Sequence, residues 1–450
     1  MRERRAEPPD GGAVDARPDL ASQEVATPVD RRERRSLSHV GGETEIAGDP
    51  ALAADLARAL AVNASVAADA ETGAKTGEDE TRAGVHGFHT YPARMHPETA
   101  SRLVAAFSQP GQVVLDPFSG SGTVLVEARL LGRRSIGVDA NPLAVRLARR
   151  KVIPAYEAEL TDLTSAAERV AAVATERRKA KSGASHRYPP ADVEAFDTHV
   201  LLELDGLKVG LAAVAEKQTK ATLELVLSSI LIKLSRRRGD TAAGTRATRL
   251  AAGYPTRLFI KKTAELVSLL TAAAPALSLG PRADVYEDDA RTLKDVPPAS
   301  VDLVVTSPPY PGVYDYVEHH RLRLRWLELK ERTFEKSEIG ARRDLSRLGT
   351  HAAEQAFEAQ MGDVLTALSR VLTPKGRAIF LVADGAHGQS AIRCDAVITR
   401  AAAHRGFQVA AIASQSRPHF HGPTSAVFDQ RPRYEHAVLL VRDPRGEKRR

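Results

Sequence analysis

A single cysteine, Cys394, serves all 450 residues. One thiol closes no disulfide within the chain and cannot build a cysteine-based zinc cluster, so neither a covalent staple nor a metal centre is expected. No run of about eighteen apolar residues occurs, and the amino terminus, Met1-Arg2-Glu3-Arg4-Arg5, opens without the apolar core of a secretory signal. The expectation is a cytoplasmic protein with no membrane partner. Residues 1–80 are poor in large apolar side chains and rich in Arg, Glu, Asp, Pro, Gly and Ala, so burial there cannot offset chain entropy. They read as a disordered leader, within which Pro50 to Ala61 could form a short alanine-rich helix. Acidic charge is also short: 57 Asp and Glu face 64 Lys and Arg, a net +7 that suits a polyanionic partner. Basic residues gather at Arg177–Lys181, Arg236–Arg238, Lys261–Lys262 and Arg321–Arg325, where solvated faces or helix C-terminal charges explain any one cluster about as well as phosphate contacts do, and their concentration favours a nucleic-acid partner.

What the chain does have is Thr306-Ser307-Pro308-Pro309-Tyr310, directly after the apolar run Val301-Asp302-Leu303-Val304-Val305. That run has the length and composition of a strand, so the five residues sit at a strand's carboxyl end, where open α/β sheets bind ligands. Two prolines fix φ at successive positions and supply no N–H, so the turn offers carbonyls without competing donors. The Ser307 hydroxyl and Pro308 carbonyl can accept the two hydrogens of a nucleobase amine, and Tyr310 can stack on the base. Taken alone, the same residues also read as a rigid loop after a strand.

A second strand, Val113-Val114-Leu115, runs into Asp116-Pro117-Phe118-Ser119-Gly120-Ser121-Gly122-Thr123 and then into a helix near Val124. Its glycines permit close approach of a ligand to the backbone, although Leu125 stands where the dinucleotide fingerprint has its third glycine. A third strand, Ser135 to Val138, ends in Asp139, placed to hold a ribose diol or to cap a helix. Upstream lies Phe88-His89-Thr90-Tyr91-Pro92-Ala93-Arg94-Met95-His96-Pro97, an aromatic loop before a helix.

Together these three segments closely resemble the S-adenosylmethionine-dependent DNA amino-methyltransferases, particularly the cytosine-N4 class with its Ser-Pro-Pro-Tyr signature. The resemblance covers residues 86–153 and 283–442. It implies an α/β fold of the class I S-adenosylmethionine methyltransferase type, Rossmann-like, with a mostly parallel sheet and a late antiparallel strand. The catalytic domain then comprises residues 81–153 and 283–450, and residues 154–282 form a helical insert that is the candidate target-recognition region. The resemblance places the cofactor S-adenosylmethionine on Asp116, Phe118, Ser119, Gly120, Gly122 and Thr123, its ribose on Asp139 and its adenine amine near Asp289. Tyr91 and Pro92 look like the element that closes over it. In Glu287-Asp288-Asp289-Ala290-Arg291 the family's usual Gly-Asp-Ala is altered by Asp288. Ser307, Pro308, Pro309 and Tyr310 correspond to the target-base pocket.

The implied partner is duplex DNA with one base turned out of the stack, together with a cognate restriction endonuclease. Adenine-N6 methylation, tRNA guanine-N2 methylation and a catalytically silent DNA-binding protein are the alternatives. Methylation at cytosine C5 is excluded, because it needs a thiolate in a Pro-Cys context and Cys394 follows Arg393. His89, His319 and His320 are expected to be surface or structural side chains.

Helical patterns within the insert span Leu160–Lys179, Ala191–Ala215, Thr222–Ser235 and Leu258–Ala273. A helix Phe357–Leu372 and strands Gly376–Val382 and Tyr434–Val441 complete the expected sheet.

Overall fold

The computed structural model describes residues 41–62, 84–92, 94–237, 245, 249–312, 314–417 and 422–443. The polar loop 239–248, apart from Thr245, and the stretches 1–40 and 63–83 lie outside the described residues. The strands are β1 (Thr44–Gly48), β2 (Val113–Asp116), β3 (Arg134–Asp139), β4 (Ala283–Glu287), β5 (Val301–Thr306), β6 (Leu372–Ala383), β7 (Gly385–His387), β8 (Ser390–Ile392), β9 (Phe407–Ser416) and β10 (Tyr434–Arg442). β7 and β8 pair as a separate hairpin, and the other eight form one sheet in the order β1-β9-β10-β6-β5-β2-β3-β4.

Pairing from β4 through β3, β2 and β5 to β6 is parallel, whereas β10 lies antiparallel to both β6 and β9. This is a Rossmann-like class I sheet with a late antiparallel strand, and β1 is added antiparallel to β9 at its edge. The inner strands read as near-continuous apolar runs because both faces are covered. Val114, Leu303, Val305, Ile379 and Leu381 face one layer with the helices Pro50–Leu60, Pro97–Phe107 and Thr123–Leu130. Leu115, Val304, Ala378 and Phe380 face the other, with the helices Thr350–Val371 and Cys394–Ala403. The chain leaves β2 to build β3 and β4 on one side and returns to build β5 and β6 on the other. The switch point therefore falls between β2 and β5, where a doubly wound sheet opens a crevice at its carboxyl edge.

Two expectations are corrected. Residues 44–60 join the fold instead of belonging to a disordered leader. β1 completes its ladder on β9, while Asp49 accepts the amides of Ala51 and Leu52 at 3.0 Å each and so caps the helix Pro50–Leu60. The stripe Ala53, Leu56, Ala59, Leu60 is buried against the sheet layer. The gain comes from a surface that residues 1–80 do not themselves supply. The second correction is local: the pattern over 191–215 forms two helices, Pro190–Ala195 and Thr198–Ala212, because Phe196 is extended at φ −129° and ψ 151°. Its ring is buried edge-on to Trp326, with centroids 5.5 Å apart.

The helices Glu157–Lys179, Thr198–Ala212, Lys217–Leu234 and Tyr254–Leu279 share a third apolar core with the helices Pro142–Val152 and Tyr316–Trp326. Lys217–Leu234 is buried around most of its circumference: Leu223, Leu225, Val226, Leu227, Ile230, Leu231 and Leu234 are each at most 2% exposed. The helices before β4 are thus packed onto the sheet domain.

Candidate active site

The turn after β2 is built by its own backbone. The Phe118 amide donates to Asp116 Oδ1 at 3.1 Å, and the Gly122 amide donates to the Ser119 carbonyl at 2.7 Å. Gly120 and Gly122 adopt φ of +48° and +85°. A Cβ on Gly120 would stand 3.2 Å from Tyr91 Cε1, and one on Gly122 would stand 2.9 Å from the Ala148 Cβ. The first glycine leaves room beneath Tyr91, and the second lets the helix Thr123–Leu130 start against Pro142–Val152.

Asp139, at the end of β3, accepts the Gly120 amide at 2.7 Å and the Asn141 amide at 2.8 Å. Burial nevertheless pushes its carboxyl up to about 6. Burial also pushes Asp116 up to about 7, against the pull of the Thr306 hydroxyl, which donates to Oδ1 at 2.7 Å, and of the Phe118 amide. Thr306 ends β5, so this bond ties the two strands that flank the switch point.

Tyr91 roofs the turn. Its hydroxyl accepts from Asn141 Nδ2 at 3.2 Å, and its ring stacks on His320 with centroids 4.8 Å apart. His320 and His89 are buried, and loss of solvent holds both well below the usual imidazole range. His89 Nε2 meets the Ser228 hydroxyl at 2.9 Å, and Arg323 donates to Thr90 Oγ1 at 3.0 Å. His89 and His320 thus act as packing for the upstream segment.

The resulting cleft holds about 840 Å³ of atom-free space, part of it open to solvent. Tyr91, Pro92, Asp116, Phe118, Ser119, Gly120, Thr123 and Asp139 line it on one side, with Ser307 and Pro309 reaching in from the turn after β5. Gly122 lies behind the wall as a packing residue. Three expected residues sit elsewhere. Pro308 is buried away from the cleft. Tyr310 stands behind Ser307, its hydroxyl 3.2 Å from Ser307 Oγ, and burial raises its phenol above the usual range. Asp289 is outside the wall, which Ala290 joins instead. Burial works to raise the Asp289 carboxyl, but Arg291 outweighs it, binding through its side chain at 2.6 Å and its amide at 2.9 Å, and leaves the group lowered.

Sequence reasoning missed Asn141, Thr306, Arg94 and the far wall formed by Tyr316, Phe334, Ser337, Glu338 and Ile339. Asn141 carried a signal, since it precedes Pro142 at a helix start. The far wall carried none, because the region after His319 is conspicuous mainly for its basic residues.

Four arginines of the basic clusters are paired with acids of the fold, which accounts for these four without a phosphate contact. Arg177 pairs with Asp205 at 3.0 Å, Arg236 with Asp197 at 2.7 Å, Arg321 with Glu331 at 2.6 Å, and Arg325 with Asp192. Asp384, after β6, forms a similar hub. It accepts Arg393 Nη1 at 2.6 Å, His436 Nε2 at 3.1 Å and the amides of Tyr434 and Cys394, which fastens β6 to β10.

The chain is similar in sequence to known proteins over part of its length. A family model described as DNA methylase matches residues 69–150. The chain is similar to the Type II methyltransferase M.MjaII of Methanocaldococcus jannaschii, 35% identical over 75 residues, which are 17% of this chain and 14% of that protein. Similarity to the Type II methyltransferase M.BsoBI of Geobacillus stearothermophilus is 26% over 276 residues, covering 55% of this chain and 53% of that one. Among solved structures, a TehB-like SAM-dependent methyltransferase from Corynebacterium glutamicum overlaps 76% of this chain and 86% of its own at 10% identity and a TM-score of 0.27. The chain spans about half or less of the length of these two curated relatives. The sequence matches support the DNA methylase family, and the fold rests on the strand order given above.

Proposed function

We propose that this chain transfers a methyl group from S-adenosylmethionine to an exocyclic amino group of a DNA base, at N4 of cytosine. One observation carries the reading. The glycine turn after β2 and two residues of the turn after β5, Ser307 and Pro309, line a single cleft at the switch point. The cleft residues also fit the cofactor: Ser119 and Ser121 line it with buried hydroxyls that have no hydrogen-bond partner, and Gly120 leaves a cradle that a Cβ would begin to fill. When bound, S-adenosylmethionine supplies an electrophilic methyl group carried on sulfur.

The residues of this chain then have separable tasks. Asp139 and the turn Asp116 to Thr123 hold the cofactor from below, and Tyr91 and Pro92 exclude water from above. Ser307 directs its hydroxyl oxygen at the amine. If its proton is committed to Tyr310 Oη, 3.2 Å away, Ser307 acts as an acceptor only, the role an amine hydrogen requires. The Pro308 carbonyl takes the second amine hydrogen after the turn shifts it towards the cleft, and Tyr310 stays behind Ser307 to hold the hydroxyl proton. Holding the nitrogen in line provides most of the acceleration, and the amine proton leaves after bond formation, so no strong base is needed. Residues 81–153 and 283–450 form the catalytic domain in this proposal. Reading of duplex DNA falls to residues 154–282. A cognate endonuclease belongs to the same proposal.

Incubating the chain with S-adenosylmethionine and unmethylated duplex, followed by nucleoside mass spectrometry, tests the target. N4-methylcytosine is expected; N6-methyladenine alone would move the target to adenine, and neither product overturns the activity. Ser307→Ala should lower the single-turnover rate by about tenfold to a hundredfold, with cofactor affinity unchanged.

A further inference from the structure

The turn after β5 has a charged neighbour outside the cleft. A Cβ added to Gly385 would stand 2.7 Å from the Pro311 carbonyl oxygen, so the backbone leaving β6 runs directly against the chain that follows Tyr310. Arg433 is fixed at that contact. Its Nε donates to the Asp384 carbonyl at 2.9 Å, its own carbonyl accepts the Arg417 amide at 2.8 Å, and Arg393 holds the carbonyls of Arg431 and Pro432 just before it.

Arg433 is 5% exposed, yet it forms no ion pair among the described residues. The acids beside it are committed elsewhere: the Asp384 carboxylate binds Arg393 and His436, and Glu435 binds Arg417 at 2.8 Å. No described residue accepts a hydrogen bond from its two terminal nitrogens, so the outer edge of the guanidinium fork is unfilled. Burial raises the phenols of Tyr310 and Tyr314, and the charge of Arg433 opposes it at both, which sets the open fork beside the turn that follows β5. Tyr314 in turn meets Tyr316, a cleft residue, edge-on with centroids 5.5 Å apart.

A desolvated guanidinium without a counter-ion is costly until an anion completes it. Its planar fork can meet two oxygens of one phosphate, whereas lysine offers a single point charge. A base turned out of a duplex brings its own backbone phosphate towards the turn that receives it.

We infer that Arg433 anchors the backbone phosphate of the turned-out target nucleotide, so that the Ser307 turn receives a base already held by its own strand. The inference rests on the DNA methylation reading given above.

The test is a double-mutant cycle on the full chain in which one partner is the DNA. A duplex carrying a site that the wild type methylates is compared with the same duplex bearing neutral methylphosphonates on either side of the target base. Fluorescence anisotropy should show the wild type binding the methylphosphonate duplex about tenfold to a hundredfold more weakly. Arg433→Met should bind the two duplexes with nearly equal affinity, with its S-adenosylmethionine affinity unchanged, and Arg433→Lys should retain part of the difference. Circular dichroism establishes that each variant is folded; should Arg433→Met unfold, Arg433→Lys completes the cycle, with a reduced difference expected. An equal methylphosphonate penalty in wild type and variant, or no penalty in the wild type, overturns the inference and leaves the methylation reading standing. The guanidinium then belongs to a base edge or to the fold alone. A wild type that methylates no duplex overturns the methylation reading itself, and the inference falls with it.

Discussion

Asp116 sits in an environment that its neighbours in the sequence do not announce. Its carboxyl sits at about 7 because burial disfavours the ion, and Asp139, at about 6, follows the same logic. Both folded values lie above the ordinary carboxylate range, so the native state binds protons more tightly than the unfolded chain does. Stability conferred by these groups is therefore present near pH 4 and declines as pH rises through 6 to 7. A cationic cofactor prefers the ionised forms, so its affinity should move the opposite way and increase between pH 5.5 and about 8. Calorimetry in buffers of differing ionisation enthalpy should register proton release on binding near pH 6.5, and Asp116→Asn should diminish it; pH-independent binding without proton release would sink the assignment. At this scale the sequence was legible where a motif is contiguous: Asp116, Ser119, Gly120, Asp139 and Ser307 all reach one site. Asn141 and Thr306 were not legible as site residues, because their partners, Tyr91 and Asp116, lie 50 and 190 positions away.

Elements were legible where an apolar run has its own stop. β2, β3, β5, β6 and β10 fall where periodicity and turn residues put them, and the helix Thr123–Leu130 begins within a residue of its expected start. Failures occurred where tertiary packing overrides local preference. The edge strand β1 exists only because β9 offers a ladder, and the break at Phe196 exists only because Trp326 receives the ring. Gly122 shows how tightly such packing fixes an element. Alanine there would take a left-handed backbone at φ +85° and bring its Cβ within 3.0 Å of Ala148 Cα. The strain and the overlap together should cost about 2 to 4 kcal/mol. Urea denaturation of Gly122→Ala measures this, with cofactor affinity falling in parallel because the turn and the helix start move together. A variant as stable as the wild type would mean that the two helices part without penalty.

The whole molecule carries a net charge of +7, yet arginines in three of its basic clusters are paired with acids of the fold. Arg177 is the clearest case. It reaches Asp205, a carboxylate with 0% side-chain exposure that also accepts Ser185 Oγ, the Ser185 amide at 2.9 Å and the Tyr188 hydroxyl at 2.9 Å. Removing the arginine strands a buried anion that keeps its neutral donors, so Arg177→Gln should lower stability by roughly 1 to 3 kcal/mol. An arginine bound to a phosphate behaves differently: its loss lowers the slope of log affinity against log salt by about 0.9 per contact on duplex DNA. Fluorescence anisotropy with a labelled duplex across a salt series, read beside urea denaturation, separates the two roles. The expected result is a less stable protein with an unchanged salt slope. A slope lowered by about one with stability intact would return the cluster to the DNA surface. Charge counting could not make this distinction, because the sum +7 is the same whether an arginine faces a phosphate or Asp205. The distinction lies in which acids the fold brings beneath each basic run, and Asp205 reaches Arg177 only through the packing of two helices, Glu157–Lys179 and Thr198–Ala212.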